Sequence, residues 1–185
     1  MRTTKLLHED QQLATRFLAV FARGLSAAGQ GKSARPGFFV FSGNFIHEYL
    51  EPVYFKKEAV LLSALEDCGF SPEDGPIGSM YAGQQKSRQI SQVLFDAAKE
   101  WQGGDEGGRA EVIYAASEYT QIMHQHFELL RDLIHPLLAQ SLSPDGELKA
   151  AEALNHIAFD EHSPDSLEKY IGMVKMLEEE VEAWK

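Results

Sequence analysis

A single cysteine, Cys68, stands among 185 residues. The chain can therefore close no disulfide within itself and can build no thiolate cage for a metal. A lone cysteine in a helix that reads as interior points to packing rather than chemistry. Also lacking is any apolar run long enough to span a bilayer, and the opening MRTTKLLHEDQQ has no signal-peptide core. The expectation is a cytoplasmic protein with no membrane association. Positive charge is scarce too: 17 Lys and Arg face 28 Asp and Glu, a formal net charge of −11. That balance offers no basic stripe to a phosphate backbone or an anionic lipid, so nucleic acid is not an expected partner. Its effect is solubility, and it names no protein partner. Nucleophile elbow, Gly-rich phosphate loop and H-E-x-x-H are all missing, which leans the reading away from an enzyme.

What is present is helical periodicity broken by Gly/Pro punctuation. The spacing predicts a first helix from about Thr3 to Ala28, with Leu6, Leu13, Phe17, Val20, Phe21 and Leu25 on one stripe. Gly29 to Gly37 is a turn-rich connector. A second helix spans roughly Phe38 to Asp67, bent at Pro52 and capped at Cys68-Gly69. A third runs from Ile77 to Gln102 and a fourth from Arg109 to Ser141, with Pro136 near its end. A short helix from Glu147 to Asp160 and a last one from Ser166 to Trp184 follow, the latter announced by Ser163-Pro-Asp-Ser. No segment alternates, so no sheet is expected. Four long helices with short connections favour an all-α, up-down-up-down four-helix bundle, one domain over 1–185, with the core bundle at about 3–141 and extra C-terminal helices at about 147–184.

Polar residues interrupt each apolar stripe. Asp10 shares a face with Leu6, Leu13 and Phe17; His47, Glu51, Tyr54 and Glu58 are phased with Leu61 and Leu65. Gln84 lies with Ile77, Met80 and Leu94, and His126 with Tyr119, Ile122, Met123, Leu130, Leu133 and Leu137. A bare buried carboxylate is costly unless paired or metal-bound, and inward carboxylates and histidines on facing helices build the metal sites of bundles. Asp10, Glu58 and His126 are thus candidate metal ligands, with Tyr54 and Gln84 hydrogen-bonding around them. The competing reading pairs Glu51 or Glu58 with Arg88 or a lysine, and makes His126 a satisfied core histidine.

These residues bring a family into view. Tyr54-Phe-Lys-Lys-Glu-Ala-Val-Leu-Leu-Ser-Ala-Leu65 followed by Gly69 resembles the hemerythrin-like (HHE cation-binding) segment H-x-x-K-E-E-x-x-L-F-P-A-L…G. Gly75-Pro-Ile-Gly-Ser-Met80 with Arg88 resembles the family's G-P-I-x-x-M…E-H-x-x-x-R, and Tyr119 to Pro136 resembles Y-x-x-x-x-x-x-H-I-x-x-E-x-x-x-L-F-P. The likeness covers nearly the whole chain in order. It implies a di-iron position of which Glu58 and His126 are retained and Asp10 replaces a histidine. Tyr54, Met80, Gln84 and Leu130 stand at vacated ligand positions. A displaced site on His47 and Glu51 is the further option, although Glu51 is expected to meet Arg88.

An oxygen-carrying iron pair needs several imidazoles that are not at these positions. The expectation is therefore a reduced, mononuclear or vestigial site, taking one divalent ion (iron, manganese or zinc) or none, in metal binding or sensing rather than oxygen carriage. The alternatives are a metal-free structural or interaction bundle, and a bundle holding a small molecule.

Overall fold

The computed structural model describes residues 2–31, 34–161 and 164–184, and every regular element within them is helical. The order is α1 (Arg2–Leu6), α2 (His8–Gly29), α3 (Pro36–Phe45), a π-helical segment (Ile46–Tyr54), α4 (Phe55–Glu66), α5 (Gly75–Gln102) and α6 (Glu106–Leu129). A π turn (Leu130–Ile134), α7 (His135–Ser141), α8 (Pro144–Glu161) and α9 (Pro164–Glu182) complete it. The capping signal expected at His162 and Ser163 falls outside the described residues. Among those residues no helix is long and apolar enough to cross a membrane.

The α5–α6 pair is the most extensive in the molecule; α3 packs on α5, α2 lies between α6 and α9, and α8 covers α4 and α1. An aromatic seam fills the space enclosed by α2 and α3. Phe17 stacks on Phe45 at 4.5 Å, Phe21 meets Phe39 and Tyr119 edge-on, and Trp184 closes over Phe38 at 5.0 Å. Such pairs contribute beyond their burial through ring electrostatics. Gly69 (φ +94°) ends the α4 turn in the left-handed region, with Phe70 N–H returning to the Leu65 carbonyl.

Two expected helices change register internally. The second takes up Pro52 as a π-helical stretch, in which Phe55 N–H bonds to the Leu50 carbonyl five residues back. Pro52 cannot donate to the Glu48 carbonyl, and the Tyr170 hydroxyl of α9 donates to that oxygen at 3.1 Å. The fourth helix does the same ahead of Pro136: His135 N–H reaches the Leu130 carbonyl. A π turn holds one more residue than an α turn, so everything beyond it rotates by one position. Ile134 and Leu138 are buried where Leu133 and Leu137 were expected; Leu133 is exposed and Leu137 only partly covered.

Two smaller expectations also fail. Leu7, not Leu6, enters the core, because the chain turns between α1 and α2. Cys68 is exposed rather than interior, since it lies past the end of α4.

The close approach of α5 and α6 depends on Gly108. A Cβ there would stand 2.8 Å from both the Ala97 carbonyl oxygen and the Trp101 nitrogen, backbone atoms that cannot swing aside. Gly108→Ala is expected to destabilise the protein by about 1–3 kcal/mol, read as a lower midpoint in chemical denaturation.

Candidate functional site

Lys57 and Glu58 are consecutive on α4 and both are buried. Neighbours on a helix point about 100° apart, so the two reach opposite sides of the core. Lys57 turns to α2. Its Nζ donates to Asp10 Oδ1 and Oδ2, each at 2.7 Å, and the Tyr49 hydroxyl donates to Oδ1 at 2.7 Å. Only 4% of Asp10 and 7% of Lys57 is exposed. Burial, then the charge of Asp10, pushes the Tyr49 hydroxyl far above its ordinary pKa, so it remains a donor.

Glu58 turns the other way, toward α5 and α6. Its Oε2 is 2.7 Å from His126 Nε2 and accepts from Gln84 Nε2 at 3.0 Å. Tyr54 lies beside it, its hydroxyl held well up in pKa by burial and then by the Glu58 charge. His135, half-buried, also feels Glu58: burial lowers its pKa and the carboxylate partly offsets that. Tyr54 Oη, Glu58 Oε1, His126 Nδ1 and His135 Nε2 are buried without a hydrogen-bond partner. The Tyr54 hydroxyl thus approaches Glu58 without forming a well-made bond.

A third group lies along the π-helical segment. Ser91 Oγ donates to Glu51 Oε1 at 2.5 Å, and His47 Nε2 is 3.3 Å from the same hydroxyl. The pairing expected between Glu51 and Arg88 is not formed. Arg88 instead sits over the Phe55 ring, 5.5 Å from its centroid, while its carbonyl oxygen lies 3.0 Å from the Ser91 hydroxyl. His47 and Glu51 do share a neighbour, as their common stripe suggested, but that neighbour is a serine.

Of the expected ligands, then, Glu58 and His126 are brought together, and Asp10 is committed elsewhere. The vacated positions Tyr54, Met80, Gln84 and Leu130 are all buried. A divalent ion on Asp10, Glu58 and His126 would need their lone pairs to converge. Both oxygens of Asp10 are on an ammonium, and the bonded oxygen of Glu58 is shared by an imidazole and an amide. Among the described residues no group of three or more His, Cys, Asp or Glu side chains is arranged to hold a metal ion. The residues do not fit the metal that the resemblance implies.

Lys57, Tyr49, Ser91 and His135 were missed from the sequence. Lys57 carried a legible signal, lying four residues before Leu61 on the buried stripe. His135 carried none, since only the π turn brings it near Glu58. A groove between α4 and α8 (about 830 Å³) is bounded by Lys56, Cys68, Ser141 and Lys149 and does not touch this network. Comparison of the chain with family models, curated proteins and solved structures returns no match.

Removing one member of a buried pair strands the other charge, at a cost of about 3–5 kcal/mol. Lys57→Met alone is expected to fall in that range by urea unfolding. Asp10→Asn combined with it should recover most of the loss, giving a large coupling energy in the double-mutant cycle.

Proposed function

We propose that this chain is a hemerythrin-like, up-down-up-down four-helix bundle with added C-terminal helices, whose metal position is vestigial. It acts as a metal-independent structural or interaction module. The observation that carries this reading is the Lys57 ammonium seated on both oxygens of Asp10. A protein-borne cation there supplies the positive charge that a metal would bring, and it repels a dication from the same carboxylate. Supporting it are Gln84 and His126, which occupy Glu58 as hydrogen-bonding partners, and the burial of Met80 and Leu130, side chains with no ligand for a hard cation. Reversible oxygen binding has no place in such a core.

A second reading, a reduced mononuclear site on Glu58 and His126, draws on the unpartnered Glu58 Oε1, Tyr54 Oη and His135 Nε2. A buried water answers the same need with less charge.

One measurement separates the two. Elemental analysis of the purified protein is expected to find iron, manganese and zinc well below one equivalent, with a thermal midpoint unmoved by chelator. Stoichiometric metal whose removal lowers the midpoint would defeat the proposal, because a ligand bound only to the folded state must stabilise it by mass action.

A further inference from the structure

We propose that the outer face of the α5–α6 pair is a self-association surface, on which a second copy of this chain docks about a twofold axis to form a homodimer. This goes beyond the metal-independent reading and does not require it, because its contacts are made by surface residues of α5 and α6.

The inner side of the pair is covered by α3 on α5 and by α2 on α6, while Ala82, Lys86 and Gln121 on the outer side are exposed. Two shallow grooves meet there, of about 570 and 260 Å³, and share Lys86, Glu118 and Ile122. Val93, at 39% exposure, lines the smaller one. One turn before Glu118 stands Tyr114, at 62% the most exposed large apolar side chain among the described residues. Lys86 and Glu118 are the only Lys, Arg, Asp or Glu lining either groove, so their charges cancel. A chain of net charge −11 repels its own copy, and a face of zero local charge is where that repulsion is least.

The register of the two helices makes this face complementary to itself. α5 and α6 run antiparallel, since Gly83 lies against His126 and Gly108 against Ala97. A twofold axis normal to the face therefore lays α5 along the second copy's α6, with both running in the same direction. Residues four apart share a helix face, so two such stripes meet step for step. On α5 the stripe is Ala82, Lys86, Ile90; on α6 it is Tyr114, Glu118, Ile122. Setting Lys86 against the second copy's Glu118 brings Ile90 to Ile122 and Ala82 to Tyr114. One register thus matches opposite charges, joins two isoleucines and sets the most protruding ring over the smallest side chains. By symmetry each contact is made twice.

Gly83, next to Ala82, fits the same arrangement. A Cβ there would stand 3.5 Å from His126 Nδ1, an ordinary contact, so packing within the chain does not demand a glycine, as it does at Gly108. Glycine in the interior of α5 nevertheless weakens the helix. The hollow that Ala82 and Gly83 leave gives the Tyr114 ring of a second copy a seat, and tyrosine is a favoured interface anchor. An overlap of about 20 residues is about 30 Å long and, across two helices, about 20 Å wide. That is the scale of an ordinary interface, to which each partner gives roughly 800 Å².

The test is sedimentation of the full chain from micromolar to submillimolar concentration. The mass should rise from 20.7 kDa toward twice that value as concentration increases. Tyr114→Ser should weaken the dimer by about tenfold or more. Lys86→Glu and Glu118→Lys, each of which sets like charges opposite one another, should each weaken it by a similar factor. The double variant, with the charges exchanged, should dimerise as the wild type does, which also shows that the reversals leave the fold intact. An equimolar mixture of the two single variants should form a heterodimer. The proposal is overturned if the wild type stays monomeric throughout, if its dimer survives Tyr114→Ser or either single reversal unchanged, or if the double variant is no tighter than the singles.

Discussion

A carboxylate and an ammonium, sealed from water against each other, set the terms for the rest of this core. Asp10 and Lys57 are each tolerable inside only because the other is there. The pair does more than cancel charge. Lys57 is fixed in direction by Asp10, and since Glu58 is the next residue of α4, its direction is fixed as well. Glu58 then selects its neighbours on α5 and α6. Two adjacent residues thereby tie α2 to one side of α4 and the α5–α6 pair to the other. The Tyr49 hydroxyl completes the Asp10 side and His126 the Glu58 side, so the helix carrying both charges can neither rotate nor slide without breaking a hydrogen bond.

The tyrosines extend the same logic. Tyr49, Tyr54 and Tyr119 are fully covered, and burial raises the pKa of each hydroxyl before any neighbour acts. Each lies in the field of a carboxylate: Asp10, Glu58 or Glu51. Neutral phenols beside anions form a polar layer whose net charge stays small, which is how an acidic chain keeps carboxylates inside a core built from aromatic rings. The exposed face carries the rest of the negative charge, where water screens it.

All-helical character was legible from periodicity, and so were most of the stripes, because α2, α5 and the first part of α6 keep an unbroken 3.6-residue repeat. The burial of Asp10, Glu58, Gln84 and His126 followed from their phase alone. What periodicity could not carry was the sequel to each proline. Leu133 and Ile134 are equally apolar, and only the backbone decides which one faces inward. Partner choice was also beyond a one-dimensional pattern: Glu51 had Arg88 at a suitable level, yet the π-helical stretch turns it to Ser91. Phase tells which side chains enter the interior, while pairing depends on the rotation between helices, which no single stripe records.

The bend at Pro52 has a consequence for the order in which the molecule is completed. The Glu48 carbonyl that this proline cannot serve is taken by Tyr170, and the Glu48 side chain by Lys169, two consecutive residues of α9. During synthesis Glu48 emerges 121 residues ahead of its partner Lys169. Until α9 arrives, the Glu48 carbonyl and carboxylate lack these two partners, so α9 works as a clasp that closes a joint made long before it.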